Sequence, residues 1–248
     1  IYTLAYRLPE LLVLSLMTVV NRVAFPAFSS LQESRDSLRR GFLASIHYVV
    51  LVTLPLSVGL AIAADPIVHV VLGDDWIEAI PVMRVLAIFV LVASLLNADG
   101  DVYKAVGRPD LLFKLALVHV AMLVPALLIG VQYGLVGVAV GHLVASSLTR
   151  TLRTIVVSRF LQVPIATIVR QWRSATVGGV ALTLLAGTAM YLTADAAASL
   201  QLVVTVAAGA IGYFAVLLLL ERKDIGKVLR LALSRSDSAD TESSEIDI

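Results

Sequence analysis

The sequence predicts an all-α polytopic membrane protein with about seven transmembrane helices. Three observations carry that expectation. Of its 248 residues 59% are hydrophobic, where soluble domains hold roughly 45–50%, and the mean hydropathy is +0.93. The apolar residues fall into runs of about 20, the length that crosses a bilayer core as a helix. Sixteen of the 19 Lys and Arg residues sit in four clusters between those runs, a segregation that indicates membrane topology and argues against nucleic-acid binding. Cysteine is absent, which excludes disulfides, zinc thiolates and cysteine catalysis.

The first apolar run, Leu8 to Phe28, carries Glu10, Asn21 and Arg22 between Pro9 and Pro26. Charges of that kind are kept in a membrane helix where they face protein or water. A polar stretch from Ser29 to Gly41, with Arg35, Arg39 and Arg40, reads as a cytoplasmic loop. Phe42 to Ala64 contains no charged residue, and its Pro55 and Gly59 suggest a kink. Asp65 to Glu78 is too short to span; its acids, apolar residues and Trp76 suit an interfacial segment on the outer side.

The centre of the chain is Gly73 to Lys114. An acidic turn (Asp74, Asp75, Glu78) precedes an apolar run from Ala79 to Ala98, and a basic turn (Lys104, Arg108, Lys114) follows it. Lys and Arg in short loops are retained inside, so the basic end is the cytoplasmic one. Leu115 to Thr149 carries no Asp, Glu, Lys or Arg, yet as one helix it would be about 52 Å long, too much for one crossing. The break is expected at Gly130–Gly134, with Gly134, Gly137 and Gly141 suited to close helix packing. Arg150 to Arg173 has five arginines among apolar residues and reads as an amphipathic cytoplasmic connector on the membrane surface. Ser174 to Ala194 and Ala196 to Leu220 form the last two spans, turning at Asp195. A basic, then Ser/Asp/Glu-rich tail is expected to be disordered in the cytoplasm. In this topology no outer loop carries Lys or Arg, which supports the helix count.

A second layer comes from motifs in order. YTLAYR (Tyr2 to Arg7), VNRVAFP (Val20 to Pro26), Leu54-Pro55 with Gly59, Leu72-Gly73 with Trp76 and Pro81, YKAVGRP (Tyr103 to Pro109) and GLVGVA (Gly134 to Ala139) together resemble the C-terminal half of polysaccharide flippases of the oligosaccharide and O-antigen type. These belong to the multidrug/oligosaccharidyl-lipid/polysaccharide exporter superfamily, which also contains the multidrug and toxin extrusion (MATE) transporters. The resemblance covers residues 1–160. It implies the C-terminal lobe of a MATE-like two-lobed transporter, moving a lipid-linked oligosaccharide to the outer leaflet by alternating access. The chain starts at Ile1 without the other lobe, so it is expected to be a fragment of a longer polypeptide.

The domain organisation that follows is a five-helix core over 1–157, a connector at 158–173, two additional spans at 174–220 and a cytoplasmic tail at 221–248. The implied substrate, an oligosaccharide on a polyprenyl pyrophosphate, requires cations inside the membrane. Arg7 and Arg22 are the leading cavity candidates, because buried arginines are costly there without a partner or pathway. Snorkelling of Arg22 and pairing of Arg7 with Glu10 are the plain alternatives. Arg84, near the outer end of its helix, reaches either the headgroups or the cavity. Asp99 and Asp101 are candidates for a coupling H+ or Na+, or simply helix-terminal caps. The four histidines lack metal-ligand spacing, and no metal or cofactor is expected. A drug/cation antiporter of the same superfamily is the sibling reading, and a membrane glycosyltransferase or ligase the distant one. Non-enzymatic transport is the expectation, with membrane lipids as surroundings and no nucleic-acid partner.

Overall fold

A computed structural model describes residues 35–95, 103 and 109–221. The first predicted span, Arg7, Arg22, Asp99, Asp101 and the C-terminal tail lie outside the described residues. Within them every long element is helical. The helices are α1 (Arg35–Ile62), α2 (Ala64–Ile67), α3 (Ala79–Leu95), α4 (Pro109–Val131), α5 (Gly134–Leu161), α6 (Ile165–Arg170), α7 (Arg173–Leu192) and α8 (Ala198–Leu220). Five of these, α1, α4, α5, α7 and α8, are long and apolar enough to cross a membrane, and α3 is a shorter apolar helix. The chain is an all-α, multi-pass membrane protein.

Helix α1 begins at Arg35, seven residues before the predicted apolar start. Asp36 in its first turn suits the positive end of the helix dipole and pairs with Arg39 at 3.2 Å, so the polar residues prolong the helix instead of forming a loop. Pro55 is accommodated inside α1. Between α1 and α3, the predicted interfacial segment folds as α2, a π-helical turn (Val68–Leu72) and a 3-10 turn (Asp74–Trp76). Gly73 joins the two turns at φ 89°, ψ 169°, a conformation essentially confined to glycine.

Helices α4 and α5 meet where the sequence required a break, with Gly134 at φ 73° opening α5. The larger departure is at the other end of α5. It continues as helix through Arg150, Arg153 and Arg159 to Leu161, so the connector shrinks to the stretch holding the six-residue α6. A long arginine side chain permits this at Arg150, whose head donates to the Ala93 carbonyl of α3 while its stem can stay in apolar surroundings.

The helices pack as α8–α7–α1–α3–α5–α4. Two antiparallel hairpins, α7–α8 and α4–α5, flank the α1–α3 pair. The principal core joins Leu38, Phe42, Ile46, Val50 and Leu54 of α1 to Leu161, Val163, Ile168, Leu182 and Tyr213. A second cluster, with Leu60, Val68, Ile80 and Met83, secures the α1–α3 turn. Hydrophobic burial contributes little between helices in lipid, which is as apolar as leucine; fitted packing and interhelical hydrogen bonds carry the association.

Candidate functional site

Basic ends of the helices converge. Helix α5 stops at Leu161 because Gln162 turns left-handed, at φ 52°. The N–H groups of Gln162 and Val163 then donate to Arg159 O and Ser158 O, at 3.3 and 2.9 Å, which leaves the Leu161 carbonyl for an external donor. Arg39 of α1 supplies it: Nε donates to Leu161 O at 2.5 Å and Nη2 to Gln162 Oε1 at 3.0 Å. A cation at the negative end of a helix is favourable in itself.

Further into the bundle, α5 carries His142, Ser146, the adjacent Thr149 and Arg150, and Arg153, steps of three or four residues around that pair, which place them along one side of a helix. Arg150 Nη1 donates to Ala93 O of α3 at 2.9 Å. Tyr103 donates its hydroxyl to Arg153 O at 3.4 Å. On α4, His119 Nδ1 lies 3.4 Å from Thr149 Oγ1, and the His142 ring packs on Phe89 with centroids 4.4 Å apart. This polar seam joins α3, α4 and α5. The sequence reading missed it by assigning Arg150 to a surface connector; the helical spacing from His142 to Arg153 is the signal that reveals it.

Arg84 is the predicted site residue that the structure describes. It lies on an exposed stripe of α3 with Pro81 and Ile88, opposite the buried face formed by Val82, Met83, Leu86 and Phe89. It makes no hydrogen bond or ion pair with a described residue. By helical rise it is roughly 13 Å along α3 from Ala93, so the structure does not join Arg84 to the arginine seam. Among the described residues no three His, Asp or Glu side chains gather as a metal site.

Outside the spans, His69 sits in the π-helical turn with Nδ1 2.9 Å from Asp65 O and Nε2 3.7 Å from Asp74 Oδ1. The hydrogen bond to the Asp65 carbonyl raises its pKa above the ordinary histidine value; partial desolvation opposes this, and the Asp65 and Asp74 carboxylates reinforce it. A raised folded-state pKa means that the protonated ring stabilises this turn at acid pH, a contribution lost as pH rises through the folded value. An NMR titration of His69 is expected to show that elevation, diminished in Asp74→Asn; an unshifted His69 in the parent would contradict it.

Residues 1–81 match the family described as "Polysaccharide biosynthesis protein". The teichuronic acid biosynthesis protein TuaB of Bacillus subtilis is 39% identical over 113 residues, covering 46% of this chain and 23% of the relative. The lipopolysaccharide biosynthesis protein WzxC of Escherichia coli is 32% identical over 143 residues, 57% of this chain and 29% of that protein. An uncharacterized membrane protein in the cps region of Klebsiella pneumoniae is 27% identical over 135 residues, 54% of this chain and 28% of the relative. The matched stretches thus span about a quarter of these relatives' length. No solved structure matches the chain. With helices of membrane-spanning length and this N-terminal match together, the chain is a multi-pass membrane protein whose first 81 residues are similar to the polysaccharide biosynthesis family.

Proposed function

We propose that this chain is the C-terminal lobe of a flippase that moves lipid-linked oligosaccharide or polysaccharide repeat units across the cytoplasmic membrane by alternating access. The observation that carries the reading is that relatives named for two different envelope polysaccharides align with one helical membrane protein. A shared need in such pathways is passage of a lipid-linked sugar, independent of which glycan is built. The substrate class is an oligosaccharide on a polyprenyl pyrophosphate, and the second lobe is supplied by the rest of the polypeptide. Basic helix ends face the cytoplasm in this reading, because positive residues are retained there.

Arg7 and Arg22 serve as the cations that meet the pyrophosphate, with Arg84 at the outer end of the pathway. Asp99 and Asp101 stand at the inner entrance, where a carboxylate is suited to a coupling H+ or Na+. No catalysis is required of the protein. The test is polymer export by the full-length parent in cells lacking it, with lipid-linked repeat units quantified in each leaflet. Losing a charge-assisted contact is worth about 1.5–3 kcal/mol, so Arg7→Ala and Arg22→Ala are expected to lower export about tenfold or more, with repeat units accumulating in the inner leaflet. Wild-type export by both variants would remove these arginines from the pathway. Loss of export with no such accumulation would remove the flippase reading.

A further inference from the structure

Pro55 stands inside α1 and deprives that helix of one rung. In an α-helix each carbonyl accepts from the N–H four residues further on. Residue 55 has no N–H, so the Leu51 carbonyl loses its usual donor, and the pyrrolidine ring crowds the same oxygen. Lipid offers no water in its place, and proline is tolerated in a membrane helix where a neighbouring helix supplies the missing partner.

That partner is on α8. Tyr213 donates its hydroxyl to Leu51 O at 2.6 Å, and its side chain is buried. Helix α7 builds the seat for the ring. A Cβ at Gly178 would stand 2.8 Å from Tyr213 Cε2 and 2.9 Å from Cδ2, and one at Gly179 would collide with Leu54 Cδ2 of α1. Adjacent glycines therefore admit the phenol on one side and α1 on the other. Gly212, next to Tyr213, brings α8 against α7, since a Cβ there would lie 2.7 Å from Leu185 Cδ1 and 3.1 Å from Ala181 O. Nearer the start of α1 the same hairpin makes a second contact, with His47 Nε2 3.6 Å from Glu221 Oε1.

We propose that Tyr213 replaces the amide hydrogen that Pro55 lacks, so that the α7–α8 hairpin is a strap on α1 at its proline. The hydrogen bond that seats the hairpin is also the one that completes the α1 ladder. Seating of the hairpin and the conformation of α1 at Pro55 are then one equilibrium. With the hairpin seated, Leu51 is satisfied and α1 is held in this form; with it displaced, the Leu51 carbonyl is bare and α1 rearranges around residue 55 to cover it. The two spans after residue 173 thereby govern the conformation of α1, independently of the flippase reading.

A double-substitution cycle separates this role from ordinary packing. Tyr213→Phe keeps the ring and removes the hydroxyl alone, whereas Pro55→Ala restores an N–H that serves Leu51 from within α1. In the detergent-solubilised full chain, Tyr213→Phe is expected to lower the melting temperature by about 2–4 °C, and by less than half as much in the Pro55→Ala background. Spin labels at Val52→Cys and Ile211→Cys, both exposed positions in a chain without native cysteine, report the α1–α8 separation in lipid nanodiscs. Their distance distribution is expected to broaden on Tyr213→Phe and to stay narrow when Pro55→Ala is also present. Solid-state NMR of the otherwise unsubstituted chain, labelled at tyrosine Cζ and leucine carbonyl carbons, is expected to show a tyrosine–leucine contact that vanishes in Tyr213→Phe. Absence of that contact overturns the proposal, even where Pro55→Ala does not fold. So does an equal loss in both backgrounds, or a Tyr213→Phe variant that matches the parent in melting and distance.

Discussion

Gly137→Val is expected to separate the α4–α5 hairpin and to lower the melting temperature of the detergent-solubilised protein by several degrees, whereas Gly187→Val leaves it nearly unchanged. The backbones of α4 and α5 cross at glycines. A Cβ at Gly130 would lie 2.5 Å from Gly137 O, and one at Gly141 2.5 Å from Ala126 O. A side chain at Gly137 meets the carbonyl of Gly130 and Tyr133 Cβ, so relief requires the helices to part. Overpacking of this kind costs about 1–3 kcal/mol, and α4 packs principally on α5. At Gly187 nothing lies within 4 Å of the added atom. Equal melting of the two variants would show that close approach at the glycines does not hold the hairpin.

Phe42→Ala is expected to destabilise the protein by about 2–3 kcal/mol, and Phe113→Ala hardly at all. Phe42 is 1% exposed and Phe113 66%. Phe42 lies in the cluster that joins α1 to Leu161 and Ile168, so its removal leaves a cavity at the meeting of α1, α5 and α6. In a soluble protein such a change costs about 3–5 kcal/mol. In a membrane the unfolded reference is already in an apolar solvent, which removes most of the transfer contribution and leaves the cavity contribution. Differential scanning of both variants in one detergent separates the cases. A Phe113→Ala loss as large as that of Phe42→Ala would mean that the two rings are equally packed.

Helix existence was legible from apolar runs because a spanning segment must satisfy its own backbone, leaving helix as the available form. The need for a turn between α4 and α5 followed from length, and the glycines at 130 and 134 placed it. Boundaries at the basic ends were not legible. At Arg35 and at Arg150 the chain becomes polar while the helix continues, since an arginine ends a hydrophobic run but not a hydrogen-bonded ladder. The site was legible only where spacing repeats: His142 to Arg153 follow the helical period, yet the acceptor of Arg150 is Ala93, 57 residues away. Nothing local links His47 to Glu221.

The sequence by itself determined the solvent and the helical class, because composition and run length record the environment in which each segment is stable. Tertiary structure decided which helices touch and which polar groups meet. Arg39 on Leu161, Arg150 on Ala93 and His47 on Glu221 each connect positions far apart in the chain. Such pairings depend on helix rotation and depth, which in lipid are set by packing of small residues and by mutual hydrogen bonding, quantities that no single segment contains.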